Sequence, residues 1–168
     1  SFGTHFVSLA RRTFGNDSPE SVVAFREGGG APNAKPQVGP VVISEFMASN
    51  ERAHADEDGH YTDWVEAMNL TGHVVHLDGW HLTDDAGDLQ KWRFPAVELA
   101  ANESLVIFAS GKDRRIVGNE LHTNFTLGVD GGYLALIDSD GTIATQFTPG
   151  YGPQRTDVSH GFPQQNVT

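Results

Sequence analysis

The densest chemistry in this sequence is Asp56-Glu57-Asp58-Gly59, followed closely by Asp63 and Glu66. Aspartates at alternate positions before a glycine are how a tight loop aims several hard oxygen ligands at one centre, and Ca2+ prefers such ligands. Asp56, Asp58, Asp63 and Glu66 are therefore the candidate ligands of a calcium ion. The full EF-hand pattern is not met, because no third ligand falls at the expected spacing and no flanking helices are expected. The competing interpretation is a polar turn in which Asp63 and Glu66 bond to backbone amides. Asp84-Asp85-Ala86-Gly87-Asp88 and Asp138-Ser139-Asp140-Gly141 are acidic loops of the same kind. Aspartate and glycine are what turns need, with or without a metal.

The other routes to chemistry are thinner. Of the eight histidines, His73 and His76 lie closest in a strand-like run. A spacing of three in an extended strand puts them on opposite faces, so they cannot chelate together, and no HExxH helix supports zinc. Catalysis lacks its usual markers: there is no Gly-x-Ser-x-Gly elbow, no P-loop and no dinucleotide-binding glycine fingerprint. Carboxylates such as Glu45 and Glu66 could serve as acid and base of a glycosidase if their strands were adjacent. A place near a sheet end, satisfying loop amides or a cation, is the simpler expectation. Asn69-Leu70-Thr71, Asn102-Glu103-Ser104 and Asn124-Phe125-Thr126 fit the glycosylation acceptor pattern, which is loose enough to arise by chance.

Bulk properties narrow the field. The absence of cysteine removes disulfides, Cys-ligated zinc and thiol nucleophiles together, and tilts the source toward bacteria. With 22 acidic and 11 basic side chains the formal net charge is -11, a field that repels a phosphate backbone. Nucleic acid is therefore not an expected partner. Arg11-Arg12 and Lys112-Asp113-Arg114-Arg115 are the only basic clusters, and both are short. No stretch approaches 18 apolar residues, so membrane insertion is not expected. The start, Ser1-Phe2-Gly3-Thr4, resembles a cut inside a longer protein with no signal peptide, so localisation has to be inferred.

These side chains have to be positioned by strands. Nineteen glycines and a modest apolar share suggest short strands joined by many turns. Val41–Phe46, Asp63–Met68, Val74–Leu77, Trp80–Thr83, Lys91–Phe94, Leu105–Ala109, Leu121–Leu127, Tyr133–Ile137 and Thr142–Phe147 are the strand candidates. Leu105–Ala109 is a continuous apolar run, expected as a central strand buried on both faces. The last two flank Asp138-Ser139-Asp140-Gly141 as a hairpin. Trp64, Trp80 and Trp92 fall in or beside separate strands and are expected to pack the core; a sugar-binding aromatic platform is the alternative. Upstream, Gly28-Gly29-Gly30-Ala31-Pro32-Asn33-Ala34-Lys35-Pro36 has linker composition.

Taken in order, these residues resemble a known family. Val42-Ile43-Ser44-Glu45-Phe46-Met47-Ala48-Ser49-Asn50 opens the match, and Asp56 to Glu66 with Asp63-Trp64-Val65 continues it. Then come Leu77-Asp78-Gly79-Trp80-His81-Leu82-Thr83-Asp84-Asp85 and Lys91-Trp92-Arg93-Phe94-Pro95. Leu105 to Gly111, Leu121-His122-Thr123-Asn124-Phe125 and the Tyr133 hairpin close it. The set is similar to the lamin tail domain as it occurs in bacterial multidomain proteins, over about residues 41 to 162. The resemblance implies an all-β, immunoglobulin-like β-sandwich of about 8–9 strands with an extended N-terminal linker segment. It brings no active site. The lamins' filament and chromatin roles do not carry over to an acidic chain without coiled-coil heptads.

The expected organisation is a linker or end of a preceding module over 1–40, the sandwich over 41–162 and a tail over 163–168. The expected function is a non-catalytic binding or spacer module of a larger secreted or cell-surface bacterial protein, at the cell envelope or outside it. Its partners would be proteins, glycans or surfaces, together with neighbouring domains of the parent chain. The alternatives are a Ca2+-stabilised adhesive domain and a carbohydrate-binding module attached to an extracellular hydrolase. If residues 1–40 add a strand to a neighbouring copy, a strand-exchanged dimer results.

Overall fold

The computed structural model describes residues 39–161, which form eleven β-strands and no helix. The expectations for residues 1–38 and 162–168, including the linker, the tail and strand exchange, lie outside the described residues. The strands are β1 (Val41–Met47), β2 (Asp63–Asn69), β3 (Val75–His76), β4 (His81–Thr83), β5 (Trp92–Arg93) and β6 (Glu98–Leu99). They continue with β7 (Ser104–Ala109), β8 (Leu121–His122), β9 (Gly132–Ile137), β10 (Ile143–Tyr151) and β11 (His160–Gly161). One sheet has the order β11-β1-β2-β7-β8 and a second has β10-β9-β4-β5, with β3-β6 as a separate pair. This is an immunoglobulin-like sandwich.

The inner faces follow from period-two alternation. On β2, Val65 and Ala67 point inward and are fully buried, while Trp64, Glu66 and Met68 point outward and are partly exposed. On β7, Ile107 and Ala109 are inward. The second sheet answers with Leu82, Trp92, Leu134 and Leu136, all inaccessible to solvent. Burying side chains of this size stabilises the fold by about 1.5–3 kcal/mol each. That drives the two sheets together.

β1 breaks the alternation. Val41 and Ile43 are inward, and strict alternation would send Glu45 into the core. A register shift between Ile43 and Glu45 sets two residues against one on β2, so Phe46 turns inward instead. There Phe46 packs edge-on against Phe147, with ring centroids 5.0 Å apart, and lies 4.7 Å from Tyr151. Ser44 and Glu45 are left on the outer face.

Several elements are shorter than the sequence suggests. Val74–Leu77 reduces to two paired residues, and Leu121–Leu127 is a strand only over β8, with one further bridge from Thr126 to Ser110, while the Thr123 hydroxyl donates to the Phe125 carbonyl. β6 and β11 are two-residue pairings too brief for any pattern to announce. The apolar run on β7 is buried on both faces only in its second half, Ile107–Ala109. Gly39 and Pro40 already pack with the domain. The Pro40 carbonyl accepts the Leu70 amide at 2.9 Å, and a Cβ on Gly39 would sit 2.9 Å from that of Ala144. Trp80 and Trp92 are core residues, whereas Trp64 is half-buried on the outer face.

Candidate functional site

The acidic loop sits on a long excursion between β1 and β2. Asn50 organises its base, donating to the carbonyls of His54 and Thr62 and accepting the amides of Ala53 and His54. The excursion lies over the outer face of the first sheet, where the His54 ring stacks on Phe108 at 5.4 Å. Asp157 holds it from the other side by accepting the amides of Glu51 and Arg52. At its tip, Ala55 and Tyr61 bridge, and Gly59 takes φ +77° to turn the chain, a conformation that favours glycine.

Within that turn, Asp56 Oδ1 accepts the amides of Asp58 and His60, both at 3.0 Å. Its other oxygen faces Lys112, whose Nζ lies 2.6 Å from Asp56 Oδ2, 2.7 Å from Asp58 Oδ2 and 3.3 Å from His60 Nδ1. Arg114 completes the closure, bonding Asp58 at 2.7 Å and Glu57 at 2.8 Å. Asp56, Asp58 and His60 thus bring ligand-type atoms within 4.8 Å of one another, around an ammonium group. Burial works to raise the Asp56 pKa, but the Lys112 ammonium and the two amides outweigh it and hold the carboxyl below its usual value. Hydrogen bonds from Arg114 and then Lys112 depress Asp58 further.

The four proposed ligands do not converge. Asp56 and Asp58 share the Lys112 cluster, but Asp63 and Glu66 lie on opposite faces of β2. Asp63 is inward, and its Oδ2 accepts the Leu127 amide at 3.1 Å. Glu66 is outward and accepts the Ser44 hydroxyl at 2.5 Å. Asp63 therefore bonds a backbone amide, whereas Glu66 meets a side chain. The other acidic loops are turns closed by their own aspartates: Asp85 accepts the Gly87 amide, and Asp138 accepts those of Asp140 and Thr142.

Lys112 and Arg114 went unassigned as partners of this loop in the sequence. Asp113 between them takes φ +51°, so the segment is not a regular strand whose alternation could announce them. His122 was also missed. Its side chain is fully buried, stacks on Phe108 at 5.4 Å and bonds Ser110 Oγ through Nδ1 at 2.8 Å, while Nε2 lies 3.8 Å from Glu57. Burial first, and the Lys112 charge second, push its pKa down.

Burial raises the Asp63 carboxyl to about 6, against which the Leu127 amide works only in part. The sign follows directly. An acid whose folded pKa lies above its unfolded 3.8 favours folding when protonated, so this contribution is lost as pH rises from about 4 through about 6. Asp63→Asn keeps an acceptor for Leu127 and removes the charge. It is expected to raise urea-melt stability at pH 7.5 by about 1–2 kcal/mol and to lose that advantage near pH 4. An equal effect at both pH values would show that ionisation of Asp63 is not what costs stability.

Glu45 and Glu66 are on adjacent strands and directly opposite in register. They lie on the outward pleat of the sheet and not at its end. Their neighbours in the same ladder are Val106 on one side and Gly161 on the other.

A family model, Lamin Tail Domain, matches residues 34–150, which take in β1 through nearly all of β10. The chain belongs to the lamin tail domain family. No curated protein matches it in sequence. The family is a non-enzymatic, immunoglobulin-like one associated with protein interaction. In this lamin tail domain the described residues extend past the matched region, where Asp157 and β11 secure the excursion and the edge of β1. No helix among the described residues is long and apolar enough to cross a membrane.

Proposed function

We propose that this lamin tail domain is a non-catalytic binding and spacer module of a larger secreted or cell-surface bacterial protein. The observation that carries the reading is the state of the acidic hairpin. The constellation densest in chemistry is paired from within, three carboxylates with Lys112 and Arg114, so its carboxylates hold a loop in place. The ammonium lies between the carboxylates a calcium ion would need, which favours a module that works without a bound cation. Freedom from cysteine suits a bacterial extracellular chain whose core is aromatic and aliphatic. The acidic surface disfavours nucleic acid and leaves proteins and surface polymers as partners.

A fluorescent fusion of residues 1–168 is expected to bind cell envelopes of the source organism saturably, with unlabelled chain competing. In parallel, glycoside, ester and phosphodiester substrates are expected to show no turnover that depends on Asp56, Glu45 or Glu66. Turnover abolished by Glu45→Gln or Glu66→Gln would overturn the reading, as would binding that never saturates.

A further inference from the structure

The outer face of the first sheet carries an unusual arrangement. Solvent-facing pleats are ordinarily polar, yet here Val42 stands opposite Met68, and Val106 stands opposite Glu66. All of these are partly exposed, as is Trp64 in the next row. Glu45 and Glu66 face each other directly across β1 and β2 in the middle of this surface. Like charges directly opposite on neighbouring strands are destabilising. Among the described residues neither carboxylate meets a lysine, arginine or histidine. Their contacts are hydroxyls: Ser44 donates to Glu66, and Ser159 donates to Glu45. The acidic hairpin, by contrast, is supplied with two cations of its own. The β1 register shift is what brings Glu45 out to meet Glu66.

We infer that this face docks a basic segment of a partner protein, whose lysine or arginine enters between Glu45 and Glu66 while its apolar side chains lie on Val42, Met68 and Val106. The inference rests on the binding-module reading and names the surface and the partner's chemistry. Charge complementarity chooses the occupant. A cation between two carboxylates removes their mutual repulsion, and the apolar flanks gain from burial in the same event. The chain's net charge of -11 adds long-range attraction for a basic partner. Trp64, in the next row, adds a partly exposed aromatic edge to the same face.

The test uses the full chain and a synthetic peptide alternating lysine with valine, read by fluorescence anisotropy. Peptides alternating glutamate with valine and lysine with serine are the controls. The lysine–valine peptide is expected to bind best, and the Glu45→Gln, Glu66→Gln double variant is expected to weaken it about tenfold. Asp138→Asn with Asp140→Asn, on a distant acidic turn, is expected to leave affinity unchanged. The same Glu double variant should melt about 2–4 °C higher, because the repulsion is gone. A lower melting temperature would make the pair structural and overturn the inference. Equal weakening by the Asp138 and Asp140 changes would reduce it to general electrostatics and overturn it too. A Ca2+-dependent rise in melting temperature, abolished by the Glu changes, would assign the pair to a metal ion instead. Envelope binding retained in full by the Glu double variant would sink this surface while leaving the module reading intact.

Discussion

Asn69→Ala is expected to lower the stability of the domain by about 3 kcal/mol, seen as a fall in the urea midpoint with an unchanged denaturant slope. Asn69 is fully buried at the end of β2. Its amide nitrogen donates to the carbonyls of His73 at 2.8 Å, Leu99 at 3.0 Å and Ala100 at 2.9 Å. Its oxygen accepts the Thr71 amide at 2.9 Å and the Thr71 hydroxyl at 2.7 Å. One side chain therefore binds the end of β2 to the β6 segment and closes the loop leading to β3. Alanine would strand the buried Leu99 carbonyl, at a cost of about 1–3 kcal/mol, and would also remove the half-buried bonds to His73 and Ala100. Thr71→Ala, which removes only the hydroxyl arm, is expected to cost about 1 kcal/mol. A loss below 1 kcal/mol for Asn69→Ala would mean that the loop finds other donors. The same geometry bears on the glycosylation pattern at Asn69-Leu70-Thr71. A nitrogen with no exposure and every hydrogen engaged is not an acceptor in the folded domain.

The long strands were legible because their signal is local. β1, β2, β7, β9 and the first half of β10 are runs rich in β-branched and apolar residues, and on β2 the alternation survives in the structure. β6 and β11 were not, because two-residue pairings are set by the partner strand and not by their own composition. The outward turn of Glu45 also could not be read. Val41, Ile43 and Phe46 do not share one parity, and only the register shift against β2 reconciles them.

The candidate site was half legible for a similar reason. Asp56 and Asp58 were visible as a turn-borne pair, since the loop that aligns them is encoded by their own spacing. Asp63 and Glu66 were not separable from them by sequence distance alone. Their placement on opposite faces follows from a spacing of three within β2, the same rule that separates His73 from His76. Lys112 lies 56 positions from Asp56, and no pattern along the chain connects them. Long-range ion pairs of this kind emerge only once β2 and β7 are adjacent, which carries the segment after β7 to the hairpin.

The Lys112 contact makes the sharpest claim about what the acidic loop is for. Lys112→Met retains the length and apolar stem of the side chain and removes the ammonium. Asp56, whose side chain is wholly inaccessible, then keeps its charge without its partner. Breaking a buried pair from one side costs about 3–5 kcal/mol, and the partial exposure of Lys112 lowers the expected loss to about 2–3 kcal/mol. The pH dependence has a definite sign. Asp56 and Asp58 have folded pKa values below the unfolded 3.8, so their contribution is present at neutral pH and is lost as pH falls below 3.8. The gap between wild type and Lys112→Met should therefore be full at pH 7 and narrow in acid. Calcium separates the two accounts of the loop. Wild-type melting is expected to ignore millimolar Ca2+ and EDTA alike, because the ammonium fills the space between the carboxylates. In Lys112→Met that space opens, and Ca2+ is expected to restore part of the lost stability. A wild-type melt that EDTA lowers would mean that a metal ion displaces Lys112 from the loop, and the hairpin would then have to be assigned as a cation site after all.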